Sequence, residues 1–125
     1  MTRINCIPVS ELSDSELGAE YRELPRLYAL VAAAAARCER PDDPKTPTEY
    51  VLGRGHVRFF YPRMAFVAKR HRELVVECAS RGRKVTFLGM PPVAKEIPSE
   101  WWGWWTPDEK AMERNRRRLA ERRGI

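Results

Sequence analysis

A proline set inside a helical stripe constrains this chain more than any other feature. Leu17, Tyr21, Leu24, Leu27, Tyr28 and Val31, followed by a run of alanines, recur at helical spacing and form one broad apolar face. Ser13 or Asp14 can cap the start, and Glu16 stands three residues after Ser13 as a capping box requires. The spacing therefore predicts one long helix over residues 14–39. Pro25 has no N–H to give the carbonyl of Tyr21, so this helix must bend in its first third and splay residues 21–26 toward one side. That short stretch carries Arg22 and Arg26 one turn apart, with Glu23 between them.

Beyond it, "PDDPKTPTEY" (41–50) reads as a surface loop, and "VLGRGHVRFFY" (51–61) as an extended buried segment. After Pro62 a second helix carries the stripe Met64, Val67, His71, Leu74, Val75 and Cys78, with Gly82 as its stop. Residues 83–107 are irregular and include "WWGWW" at 101–105. A third helix begins at Pro107, with an acidic start and an arginine-rich end that suit the helix dipole. No internal repeat is present. The expectation is an all-α fold: residues 1–125 as one compact domain of three helices with long irregular connections.

Charge narrows the partner. Of 23 basic residues 18 are arginine, and the net charge is +6. Guanidinium makes bidentate, directional bonds to phosphate, so an arginine-rich basic domain points to an anionic partner, most often nucleic acid. On the third helix Arg114, Arg118 and Arg122 recur every four residues with Arg117 beside them. Together with Arg22 and Arg26 this stripe can cradle a phosphate backbone from two sides. The competing reading is a solvated terminal helix with Glu113 and Glu121 as local partners.

Cys6, Cys38 and Cys78 form no CxxC pair, and His56 and His71 are the two histidines. Neither a disulfide framework nor a metal site is expected, and no cofactor is called for. The apolar run 28–36 is about half a membrane span, and the first residues lack a signal-peptide pattern. A soluble, cytoplasmic protein with no membrane partner is the expectation. "GRGH" (53–56) lacks the GK[ST] ending of a phosphate loop, so it reads as a structural turn with a hydrogen-bonded, buried His56. The tryptophans can stack on exposed bases or, the better-supported reading, close a core around the chain termini.

No Ser-His-Asp or Cys-His arrangement can be built from these residues. The unusual nucleophile candidate is at the chain start. Thr2 follows Met1, and its small side chain permits removal of the methionine. The freed α-amine titrates near 8, far below lysine, so much of it is neutral at cellular pH. Such an amine can attack a sugar carbon and form an imine. Glu23, a lone carboxylate among arginines, acquires a role only beside a nucleophile of this kind.

"MTRIN", "VSEL", "AEYRELPR", "LGRGHV-FFY" (Arg58 at the dash), "KR--EL--EC--RG" from Lys69 to Gly82, and "IPSEWWGWWTPDE" together resemble the pyrimidine-dimer DNA glycosylase family of T-even phages, also called endonuclease V. The resemblance implies a compact three-helix domain, acting as a monomer without metal, that flips a base out of damaged double-stranded DNA. It implies both glycosylase and abasic-site lyase activity. Carried over residue by residue, the amine nucleophile falls on Thr2 and the catalytic glutamate on Glu23. Phosphate contacts fall on Arg3, Arg22 and Arg26 and, after one inserted residue, on Arg118 and Arg122, the last replacing a lysine. Glu16 stands where the phage enzymes carry a histidine, and their aromatic C-terminal tail has no counterpart in these residues. The implied substrate is a cyclobutane pyrimidine dimer. Other lesions, such as ring-opened purines or abasic sites, and a non-catalytic, basic helical DNA-binding module are the alternatives.

Overall fold

Capping chemistry starts the first helix. In the computed structural model, which describes residues 2–86 and 89–124, Ser13 Oγ accepts from the Glu16 N–H at 3.1 Å and Glu16 Oε1 accepts from the Ser13 N–H at 2.8 Å. This closed capping box contributes about 1 kcal/mol. Helix α1 runs Asp14–Glu23 and α2 runs Arg26–Ala36. The expected single bent helix is thus two helices. Leu24 still donates to the Glu20 carbonyl at 2.9 Å, but Pro25 has no N–H, and the next turn restarts with Leu27 donating to Leu24 at 3.0 Å. Met1, whose loss would free the Thr2 amine, lies outside the described residues.

Residues 51–61 are not extended either. Gly53 and Gly55 take φ of 73° and 88°, and a one-turn helix α3 (His56–Phe59) follows. Left-handed glycines turn the chain instead of extending it, and they let the consecutive residues Phe59 and Phe60 both enter the core. Helix α4 spans Met64–Ser80, and Gly82 beyond it has φ 75°, which makes it the helix stop. Helix α5 spans Glu109–Arg122, with Asp108 accepting from the Ala111 N–H at 2.8 Å as its cap. Between α4 and α5 lie short 3₁₀ turns at Pro92–Glu96 and Ser99–Trp101. No strand occurs among the described residues, and the fold is all-α.

One core serves all of these elements: Leu17, Leu24, Leu27, Tyr28, Phe59, Phe60, Met64, Leu74 and Trp101 are buried together. The tryptophan segment mostly closes this core. Trp101 is buried, Trp102 donates to the Ile97 carbonyl at 3.2 Å, and Trp105 stacks on Tyr50 at 5.7 Å between ring centroids. Gly103 separates the pairs because a Cβ there would overlap the Pro62 carbonyl, which accepts from the Gly103 N–H at 3.0 Å. Trp104 alone of the four lies on the surface, with the Lys69 ammonium 5.4 Å from its ring centroid.

Candidate active site

Residues 4–7 run buried through the interior without a strand partner, so side chains must satisfy their backbone. Asn115 on α5 does most of this. Its Oδ1 accepts from the Cys6 N–H at 2.7 Å and the Ile7 N–H at 3.2 Å, and its Nδ2 donates to Asn5 Oδ1 at 2.7 Å. Asn5 in turn donates to Glu20 Oε1 at 2.7 Å. Arg70 grips the same carboxylate with two bonds of 2.8 and 3.0 Å and donates to the Ile7 carbonyl. Across the segment, His56 Nε2 accepts from the Ile4 N–H at 2.9 Å, so Nδ1 carries the proton and donates to the Val51 carbonyl at 2.8 Å.

None of Asn5, Glu20, Arg70 and Asn115 stands out as a motif. Three of them do occupy buried-stripe positions in the sequence: Glu20 between Leu17 and Leu24, Arg70 between Val67 and Leu74, and Asn115 between Ala111 and Leu119. A polar residue in the middle of an apolar stripe was the available signal.

Burial pushes the His56 pKa below 6.5, and the charges of Arg3 and Arg118 add to the shift. The fold therefore favours neutral His56, so its contribution to stability is present above 6.5 and is lost as pH falls through the lower folded value. Thermal melts should show Tm dropping between pH 6.5 and 5, before carboxylates titrate, and His56→Gln should flatten that drop. An equal drop in the variant would assign the effect elsewhere.

Held this way, the chain start reaches a recess on the surface. Glu16, Ala19, Glu20 and Glu23 line it from one face of α1, Arg3 and Asn5 from the N-terminal segment, and Arg122 from α5. The spacing of 16, 19, 20 and 23 is what places the four on one helix face. Arg3 Nη1 is buried with no hydrogen-bond partner among the described residues. Burial lowers the Arg3 pKa, and the like charges of Arg122 and Arg118 lower it further, while Tyr50 and Glu23 oppose them. A buried guanidinium nitrogen with an unused N–H, crowded by two more cations, is suited to receive an anion. Glu16 enters the recess already committed: Arg123 donates to it at 2.8 and 2.5 Å and holds its carboxyl below the usual range.

The predicted residues divide. Arg3, Glu23 and Arg122 meet in the recess, Thr2 is half-buried next to Arg3, and Arg118 is close enough to act on the Arg3 charge. Arg22 and Arg26 are exposed on either side of the α1–α2 break. The expected stripe on α5 does not act as one surface. Arg114 donates to the Tyr50 carbonyl at 3.0 Å and lines a different recess with Trp105 and Asp108. Arg117 is exposed and pairs with Glu113 at 3.0 Å, as the solvated-helix reading expects. Among the described residues no group of three His, Cys, Asp or Glu side chains converges as a metal site would need, and no helix is long and apolar enough to cross a membrane.

Residues 1–88 match the family model described as pyrimidine dimer DNA glycosylase. That match spans more than half of the chain, including the N-terminal segment, α1 and α4, which supply Arg3, Glu20, Glu23 and Arg70. The chain therefore belongs to the pyrimidine dimer DNA glycosylase family, a family of DNA-repair enzymes whose partner is damaged DNA.

Proposed function

We propose that this family member couples base removal on duplex DNA to strand cleavage through its own N-terminus, as a monomer acting on cyclobutane pyrimidine dimers. With Met1 removed, the Thr2 amine bonds to C1′ of the damaged nucleotide. The C1′–N glycosidic bond breaks, and the base leaves with its electron pair and takes up a proton. The sugar ring opens to an imine between C1′ and Thr2. Glu23 then accepts a proton from C2′, the C3′–O bond breaks, and the 3′-side phosphate departs with the electrons. Water hydrolyses the imine and returns the amine. Arg3 and Arg122, in the same recess, hold phosphate oxygens of a strand whose nucleotide is turned out of the stack, and their contacts offset the cost of that deformation.

One observation carries this reading. Glu23 lines the same recess as Arg3, the chain neighbour of Thr2, and Arg3 carries a buried guanidinium nitrogen with no hydrogen-bond partner among the described residues. Sodium borohydride should trap a covalent adduct with abasic-site DNA, and reductive methylation of the N-terminal amine should abolish it. Intact mass should show loss of Met1 in the active form. Full trapping by protein with a blocked N-terminus would rule out Thr2 as nucleophile, and no adduct at all would favour a non-catalytic DNA-binding module.

A further inference from the structure

Gly18 sits in the middle of α1, where glycine is about 1 kcal/mol worse than alanine. Its φ is ordinary, so the backbone does not demand it. The reason is space. A Cβ at Gly18 would lie 2.6 Å from Arg83 Nη2 and 3.1 Å from Arg22 Nη1. The bare helix surface thus lets two guanidinium groups, from positions far apart in sequence, converge on one point.

Arg83 is placed there by the end of α4. Gly82 in the left-handed conformation turns the chain, and the Arg83 N–H caps α4 by donating to the Cys78 carbonyl at 2.9 Å. The following residues are tied back to α1, where the Thr86 N–H donates to the Tyr21 hydroxyl at 2.8 Å. Among the described residues no carboxylate pairs with Arg22 or with Arg83. Arg81, two residues earlier, contrasts with this: it is held by Asp14 and Glu77 at 3.0 and 2.9 Å. Two unpaired like charges drawn together by a helix glycine gain from an anion that both can bond.

We infer that Arg83, seated over Gly18, joins Arg22 as a two-guanidinium clamp for one phosphate group of bound DNA. At about 100° per residue, Gly18 and Arg22 lie on a side of α1 turned away from the face formed by 16, 19, 20 and 23, so the clamp would hold a phosphate of the duplex outside the recess, whose lining includes neither Arg22 nor Arg83. The inference rests on the reading that DNA occupies the recess.

The test measures binding to a duplex carrying a non-cleavable abasic-site analogue, by fluorescence anisotropy, across a salt titration. Each phosphate contact contributes roughly 0.9 to the slope of log K against log salt. Arg83→Gln should reduce the slope by about that amount. Gly18→Ala should reduce it in the same direction by displacing the guanidinium, a flexible side-chain end that can move without unfolding the helix. Arg37→Gln, which removes a cation already paired with Glu39 at 2.9 Å, should keep the wild-type slope. Wild-type binding with an unchanged slope in Arg83→Gln would overturn this clamp alone. No salt-dependent binding by the wild type would overturn the reading of the recess as well. Free phosphate offers the same oxygens. Thermal stabilisation by inorganic phosphate that Arg83→Gln abolishes, with DNA slopes unchanged, would overturn the DNA assignment in favour of a small-anion site.

Discussion

Glu23→Gln is expected to bind abasic duplex about as well as the wild type while cutting it roughly a hundred- to ten-thousand-fold more slowly. The substitution keeps the size and most of the hydrogen-bonding capacity of a side chain that lines the recess, but an amide cannot take a proton from C2′. The imine should still form, because its nucleophile is elsewhere. Borohydride trapping therefore remains, and the trapped species accumulates under single-turnover conditions. Binding and trapping retained with cleavage lost would separate the carboxylate's role in elimination from any role in shaping the recess. A variant that cleaved at the wild-type rate would remove Glu23 from the mechanism.

Glu20→Ala should produce the largest loss of stability. Glu20 is 2% exposed and Arg70 is 3% exposed, so the substitution leaves a guanidinium charge buried with no counter-ion. Breaking a buried pair from one side costs about 3–5 kcal/mol, a sizeable share of the 5–15 kcal/mol typical of a whole domain. For a domain of this size that corresponds to a Tm lower by roughly 15 °C, readable by calorimetry. The damage reaches function because Glu20 also accepts from Asn5, and Arg70 holds the Ile7 carbonyl. Loosening residues 4–7 moves Thr2 and Arg3 away from Glu23. The double variant Glu20→Leu with Arg70→Met, which removes both charges, should recover much of the Tm, since apolar replacements of such pairs are often neutral. It should not recover trapping, because Asn5 stays without its acceptor. A Glu20→Ala protein that melted like the wild type would show that the pair carries no net stability.

Much of the helical architecture was legible because helices are written in local spacing. The stripes of α1, α2 and α4, the Ser13 box, the Gly82 stop and the acidic start of α5 each depend on residues within about a turn of one another. Errors arose where a local rule had two outcomes. Pro25 can kink a helix or end it, and whether the chain restarts as a second helix depends on what α2 packs against. At 51–61 the apolar content suggested an extended buried segment, but two left-handed glycines made a turn. On α5 the arginine spacing is real, yet the stripe is divided by partners invisible from the helix itself, the Tyr50 carbonyl for Arg114 and the Arg3 recess for Arg122.

What the sequence by itself determined is the all-α class, the helical stripes with their caps and stops, and the cationic character, and it singled out an N-terminal threonine and a glutamate in an arginine-flanked turn as candidates. Those follow from residue type and short-range periodicity. The tertiary structure alone decided which polar groups are neighbours. Asn5 meets Asn115 from the opposite end of the chain, Glu20 meets Arg70 across α1 and α4, and Arg83 finds Arg22 over the bare backbone of Gly18. Hydrogen bonds and charge contacts act within a few ångströms of space and take no account of distance along the chain, so only the folded arrangement could bring these groups together.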